Sequence, residues 1–430
     1  MSHADSTLIY VTNSQLKLLH CADLHLDAVL GDSVNASQLN LLSKEEQTKL
    51  RDAPLLALEK ISELAISKKV NIVIIAGDIF NRRDGVSSDI RTRSAFTNFL
   101  RALSDNSIQI YIALGNHDPL GTISDLSAPW PDSVHLFSSR APETHKIKID
   151  GLDVAIHGVS YQNNEESRNL AELFPAKIVN SMNIGVLHTN VGGNENHSNY
   201  APANLETLKA KGYNYFALGH IHKRAVLSEH PLVAYSGNTQ ALSAKPSESN
   251  PKGCIVVSID TGSGSIENEF FSTDSVRYQK IELEIPEDIH KDDLASFLTN
   301  EIANKIDDSS ILYLIRLKVQ ISSENNSFDT SLLRDLINEQ RSNFIITKIV
   351  SSSNTLDQNI FSSHIFFELL DKNLEKLDQP SATEMYGKKH EQISNLITTS
   401  QSQEDFAADV KKLIEQTYID QSSSTKGSKK

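Results

Sequence analysis

The chain has 430 residues, 39% hydrophobic and 22% charged, and a net charge of −14. This composition excludes a fibre or a disordered chain, no apolar run reaches the ~18 residues of a membrane-spanning helix, and the length suits two or three domains with a sizeable core. Residues 281–430 carry −9 and residues 1–280 the remaining −5, so neither part offers the bulk positive field that most nucleic-acid binders use. Such acidity argues against strong autonomous DNA binding and leaves open an enzyme that meets phosphate through metal ions. The opening MSHADSTLIYVTNSQL has neither a basic leader nor an apolar stretch, and the two cysteines, Cys21 and Cys254, make neither a disulfide framework nor a zinc cluster. Both features point to a reducing cytoplasm.

The first 275 residues alternate short apolar runs with amphipathic stretches, which predicts an α/β (α+β) layered domain over residues 1–275. In chain order, Leu16–Ala22 reads as a buried strand, and Ala53–Lys68 as a helix with Leu58, Ile61, Leu64 and Ala65 on one face. Asn71–Ala76 is a nearly continuous β-branched run, as in a central strand covered on both faces. Arg91–Leu103 follows as a helix and Ile108–Leu114 as a strand. Further strands are expected at Lys146–Ile149, Asp153–Ile156, Asn183–Leu187 and Tyr215–Leu218, with antiparallel strands in Val226–Ser236 and Cys254–Phe271. In residues 276–350, strands Tyr278–Ile285, Ile311–Ile321 and Phe344–Val350 alternate with helices Glu287–Lys305 and Leu332–Gln340, a small α/β cap. Residues 351–420 read as helical, with apolar stripes from Phe366 to Leu377 and from Phe406 to Tyr418, and residues 421–430 as a disordered tail.

Five short pieces carry the chemistry, and nearly all follow a predicted strand. They are Asp23-Leu24-His25, Gly77-Asp78, Gly115-Asn116-His117-Asp118, His188-Thr189 and Gly219-His220-Ile221-His222. Residues at the carboxyl ends of strands converge on one crevice in open α/β sheets. Asp-x-His and His-x-His place two side chains on the same side of an extended backbone. Asp23, His25, Asp78, Asn116, His188, His220 and His222 are seven nitrogen and oxygen donors without a thiolate, a set that suits divalent manganese, iron, zinc or cobalt better than a structural zinc. Seven donors are too many for one ion and suit two ions sharing a carboxylate. Two ions about 3.5–4 Å apart are the standard device for in-line phosphoester displacement. A lone Asp-x-His means little; all five pieces in order carry the reading.

This set resembles the calcineurin-like metallophosphoesterase superfamily, over residues 16–271. The resemblance implies two mixed β-sheets flanked by helices, with a dinuclear centre at the sheet edge. It implies that Asp23, His25 and His222 hold one metal, that Asn116, His188 and His220 hold the other, and that Asp78 bridges them. His117 is implied to act at the scissile phosphate as general acid or transition-state stabiliser, with Asp118 orienting it by a hydrogen bond. The runs LLHCADLHLDA, LHTNVGG with NYAPANLETLKAKGYNYFALGHIHKR, and GNTQALSAKPSESNPKGC are similar to the SbcD-type DNA repair exonucleases, in particular the bacterial YhaO-type members. That branch implies two divalent ions as cofactors, manganese foremost, and DNA as substrate. It implies an SMC-like coiled-coil ATPase of the SbcC/YhaN type as partner, docked through the C-terminal helices, with room for a homodimer and no membrane. The implied activity is a 3′-to-5′ exonuclease on duplex ends and an endonuclease on single strands, in double-strand break repair.

Asn81 stands where nucleases of the family usually carry an acidic residue or a histidine, at the place that handles the DNA end. Tyr235-Ser236-Gly237-Asn238 is a variant of the family's phosphate-side turn. Arg82, Arg83, Arg91 and Arg93 form the densest basic cluster, equally suited to clamp phosphates or to line a solvated face. Asn81, Arg82, Arg83 and Asn238 are therefore the expected substrate-binding residues. His157 reads as a satisfied structural histidine and His20 as core. Two rivals remain beside the nuclease: a phosphodiesterase for small or cyclic nucleotides, and a catalytically weak assembly subunit.

Overall fold

The computed structural model describes residues 15–353 apart from 31–33, 82–88, 121–129, 194–199, 261, 287–288, 307 and 322–327. Arg82 and Arg83, and the expected C-terminal helices and tail beyond residue 353, lie outside the described residues. In chain order the elements begin with β1 (Gln15–Cys21), α1 (Ala36–Leu41), α2 (Lys44–Ser67), β2 (Ile72–Ala76), α3 (Ile90–Asp105) and β3 (Gln109–Ala113). They continue with β4 (Val134–Leu136), β5 (Glu143–Ile149), β6 (Leu152–Val159), α4 (Leu170–Leu173), β7 (Met182–His188), β8 (Asn190–Val191), β9 (Pro202–Ala203), α5 (Leu205–Ala210) and β10 (Tyr215–Gly219). β11 (Ala225–Glu229), β12 (Leu232–Tyr235), β13 (Gly253–Asp260) and β14 (Ile266–Ser272) precede β15 (Val276–Ile285), α6 (Leu294–Ala303), β16 (Leu312–Ile321), α7 (Thr330–Gln340) and β17 (Phe344–Ser353).

Two six-stranded mixed sheets form the body, in the orders β14-β13-β1-β2-β3-β4 and β11-β12-β10-β7-β6-β5. β1, β2, β3 and β4 run parallel, as do β12, β10, β7 and β6, and antiparallel strands complete the edges. The inner faces meet through Leu18, Ile72, Ile74, Tyr111, Ile156, Ile184, Val186 and Tyr215. The outer face of the first sheet is covered by α2 and α3 through Leu58, Ile61, Phe96 and Leu100, and that of the second by α4 and α5 through Leu170 and Leu208. Coverage on both faces explains why β2, β7 and β10 are buried at every position and are largely apolar, with Asn183 and His188 the polar positions of β7. Each such aliphatic side chain contributes about 1.5–3 kcal/mol by leaving water.

The third sheet is β15-β16-β17; α6 and α7 pack against each other, and Asn338 of α7 exchanges two hydrogen bonds with the main chain of Ile346 in β17. Val276, Tyr278, Leu312, Leu314 and Ile345 of that sheet share a core with Leu30, Val34, Leu50 and Ala53 of the first part of the chain. One compact unit comprises residues 1–283, 289–318 and 328–350, and a second comprises 284–288, 319–327 and 351–430. The described residues of the second are strand ends and the few positions beside them.

Two helix boundaries differ from expectation. α2 starts at Lys44, nine residues before the expected Ala53, because Ser43 and Glu46 form a reciprocal capping box, with Glu46 N–H donating to Ser43 Oγ and Ser43 N–H to Glu46 Oε2. Pro54 lies inside that helix rather than opening it. α6 is shorter than expected and occupies only Leu294–Ala303. Three-residue β4 has too little pattern to stand out in the sequence.

Candidate metal centre

The site grows from the carboxyl ends of five parallel strands. β1 runs into Asp23 and His25, β2 into Asp78, β3 into Asn116 and His117, β7 ends on His188, and β10 runs into His220 and His222. Main-chain bonds lash the loops together: Asp23 N–H donates to Gly77 O at 3.0 Å, His25 N–H to Asp78 O at 3.1 Å, and Thr189 N–H to Gly219 O at 3.2 Å. Asp23, His25, Asp78 and His220 all have positive φ, at 51°, 43°, 54° and 99°. Such strain in non-glycine residues persists where the surroundings over-determine it, and it clusters at functional sites. Gly115 is needed for close approach, since a Cβ there would sit 2.1 Å from Asp78 Oδ1.

The donors fall into two groups joined by Asp78. In the first, His25 Nε2 and His222 Nε2 are 3.2 Å apart, and Asp23 Oδ1 lies 4.0 Å from His222 Nε2. In the second, Asn116 Oδ1 lies 3.1 Å from His188 Nε2 and 3.2 Å from His220 Nδ1. Asp78 Oδ2 stands between them, 4.0 Å from His25 Nε2 and 3.3 Å from His188 Nε2. Asp23, His25 and His222 form one cluster of metal-binding size, and Asp23, Asp78 and His188 another.

The chemistry of the donors fits cations. His188 Nδ1 faces Ala76 O at 2.9 Å, so that nitrogen carries the proton and the Nε2 lone pair faces the oxygens of Asp78 and Asn116. His222 Nδ1 faces Glu248 Oε1 at 2.7 Å, which turns its Nε2 lone pair towards His25. Lone pairs facing lone pairs in a buried site need positive charge among them. Burial alone would depress the pKa of His188, yet the Asp78 carboxylate outweighs it and lifts the value to about 9. Burial pushes Asp23 up to about 6, against the pull of His188 and His222. The donors thus suit divalent cations, with Asp78 standing between the two groups.

The other expected site residues have distinct places. His117 is half-buried; its N–H donates to Asp78 Oδ1 at 2.9 Å, and its ring meets that of His25 edge-on with centroids 4.9 Å apart. Asp118, expected to orient the His117 ring, instead accepts three backbone N–H groups: Gly115 at 2.9 Å, Ile79 at 2.6 Å and Phe80 at 3.2 Å. It therefore ties the β3 loop to the β2 loop rather than turning the ring. Asn238, expected on the phosphate side, is fully buried, and its amide nitrogen donates to Gln240 O and Glu248 Oε2, both at 2.8 Å. Asn81 is half-buried, and its N–H donates to the Asp27 carboxylate. Arg91 pairs with Asp52 at 2.7 Å, beside Arg51 at 2.8 Å. His157 is held by Thr144 Oγ1 at 2.8 Å and Asn183 Oδ1 at 3.0 Å, and His20 by Tyr215 OH at 2.6 Å, so both are structural.

Sequence reasoning missed Glu248 and Lys252, which back His222. It also missed Asn164, whose amide donates to Asn116 O at 2.8 Å. Glu248 lies within GNTQALSAKPSESNPKGC, in a 3-10 turn with no strand-end motif to mark it.

Possible metal donors gather in a crevice at the strand ends of two facing mixed sheets, an arrangement that suits metal-dependent phosphoester chemistry. Residues 16–224 match the family model described as calcineurin-like phosphoesterase, so this part of the chain is a calcineurin-like metallophosphoesterase domain. It is 32% identical over 276 residues to the uncharacterized metallophosphoesterase YhaO of Bacillus subtilis, a match that spans 64% of each chain and so just under two thirds of that relative. It is 27% identical over 306 residues to the DNA double-strand break repair protein Mre11 of Methanocaldococcus jannaschii, covering 68% of this chain and 73% of that one. The solved structure of TT1561 from Thermus thermophilus overlaps 60% of this chain and 99% of that one, at 14% identity and a TM-score of 0.33. Among the described residues no helix is long and apolar enough to cross a membrane.

Proposed function

We propose that the chain is a two-metal DNA nuclease, exonucleolytic 3′ to 5′ on duplex ends and endonucleolytic on single strands, acting in double-strand break repair with an SMC-like coiled-coil ATPase. The gathering of Asp23, His25, His188 and His222 with Asp78, and of Asn116 with His188 and His220, supports the phosphodiesterase chemistry, and similarity to the Mre11 protein supports DNA as substrate. Two divalent ions, manganese foremost, held by Asp23, His25, Asp78, Asn116, His188, His220 and His222 would neutralise charge on a phosphodiester and acidify water beside it.

The chain's own residues do the rest. Asp78 holds one oxygen towards the ligand histidines and the other on the His117 N–H, so it fixes the distance between the donors and that ring. The half-buried His117 ring meets that of His25 edge-on, and it would give a proton to the leaving oxygen. Asp118 keeps that loop in register with Asp78 through the amides of Gly115, Ile79 and Phe80. Burial of Asp23, His25, Asp78 and His188 excludes water and strengthens every charge in the site.

The acidic chain supports one rival, a phosphodiesterase for small or cyclic nucleotides. The discriminating experiment is manganese-dependent cleavage of end-labelled duplex and single-stranded DNA beside a cyclic nucleotide, with His117→Ala and Asp78→Ala as controls. Ladder-like degradation lost in both variants, with metal retained in His117→Ala, is expected. Cleavage of the cyclic nucleotide alone would move the substrate to small nucleotides.

A further inference from the structure

The buried group behind His222 has no part in the chemistry above. Glu248 is 3% exposed and sits at the end of the turn Pro246–Glu248. Its Oε1 lies 2.7 Å from His222 Nδ1, while its Oε2 accepts from Asn238 Nδ2 at 2.8 Å and from Leu242 N–H at 3.2 Å. Lys252 Nζ lies 3.8 Å from the same Oε2 and donates to His222 O at 2.8 Å and to Ser247 O at 2.7 Å. Both carboxylate oxygens are engaged, so Glu248 cannot swing away from the ring. The lysine also offsets its charge and grips the main chain of His222.

We propose that Glu248 is a positioning residue that fixes His222 for metal binding and makes the Asp23–His25–His222 half of the centre the tighter of the two. The inference rests on the two-metal reading and extends it. A carboxylate that accepts the Nδ1 proton leaves Nε2 as the one lone pair, locks the ring and raises its basicity. His188, in the other half, is backed by a neutral carbonyl, Ala76 O at 2.9 Å, which polarises the ring less than an anion does. The buried Asn238 belongs to this device, since its amide steers Glu248.

The test is titration of the metal-stripped full chain with Mn2+ by calorimetry, together with thermal unfolding of each metal-free protein. The wild type is expected to bind two ions in two resolvable classes. Glu248→Gln keeps the size and an acceptor but loses the charge. It should weaken the tight class roughly ten- to hundredfold, leave the weak class unchanged within error, and leave metal-free unfolding close to wild type. A merely structural role would instead lower the unfolding temperature and spare the metal affinity. Glu248→Gln combined with Lys252→Met removes both buried charges, should the single variant fail to fold, and predicts the same selective loss. An unchanged tight class in whichever variant folds, or an equal fall in both classes, overturns the inference. A wild type that binds fewer than two ions overturns the two-metal reading itself.

Discussion

At the scale of single residues, the candidate donors were legible because each ends or follows a largely apolar strand and carries its own short motif, as Asp23-Leu24-His25 and Gly219-His220-Ile221-His222 do. What stayed hidden are contacts made across sequence gaps that no periodicity records. Glu248 reaches His222 over 26 residues, and Asp118 spends its oxygens on amides of the β2 loop 38 and 39 residues away. Asp118→Ala would strand three buried N–H groups, each unmade bond costing about 1–3 kcal/mol. We expect denaturant unfolding to show a loss of several kcal/mol, with Asp118→Asn milder because one oxygen remains. Gly115→Ala drives a methyl into Asp78 Oδ1, and metal binding should fail before the fold does, which calorimetry on the folded variant would reveal.

His20 supplies a pH prediction at the same scale. Burial pushes its pKa down to about 3 from an ordinary 6.5, against a smaller upward pull from the Leu218 backbone. A group with a depressed folded pKa contributes stability above its unfolded pKa and loses it as pH falls. Between pH 7 and pH 5 that loss is about 2 kcal/mol. In denaturant melts, His20→Gln should therefore have a flatter stability–pH curve than wild type over this window. Equal slopes would show that His20 is already charged in the folded state.

At the scale of elements, strands were read more accurately than helix ends. A strand covered on both faces announces itself by composition, as Ile72–Ala76 does, whereas a helix start depends on capping chemistry. The run Ser43-Lys44-Glu45-Glu46 carries the capping signature of α2, which an apolar face counted from Leu58 onward does not reveal. Glu46 also binds Arg341 at 2.6 Å, joining this helix start to the residue that follows α7. Ser43→Ala should cost about 1 kcal/mol, an ordinary N-cap loss. Glu46→Ala should cost more, because it removes the reciprocal cap and the ion pair together. Equal losses in denaturant unfolding would show that the Arg341 contact is energetically idle.

At the scale of the molecule, a layered α/β domain was legible as βαβ alternation giving way to antiparallel strands, the two mixed sheets were implied by the family resemblance, and the parallel cores of both sheets bear both out. The pairing order was not legible, since β13 lies beside β1 across more than two hundred residues. With a net charge of −14, the isolated chain should bind DNA weakly and with a shallow dependence of affinity on salt. A steep salt slope would indicate a phosphate-tracking surface that bulk charge conceals.

The central claim is that Asp78 joins two metal sites, and anomalous diffraction from crystals grown with Mn2+ tests it most directly. The account predicts two peaks flanking Asp78, one among Asp23, His25 and His222 and the other among Asn116, His188 and His220. A single peak at Asp78, or none, would contradict it.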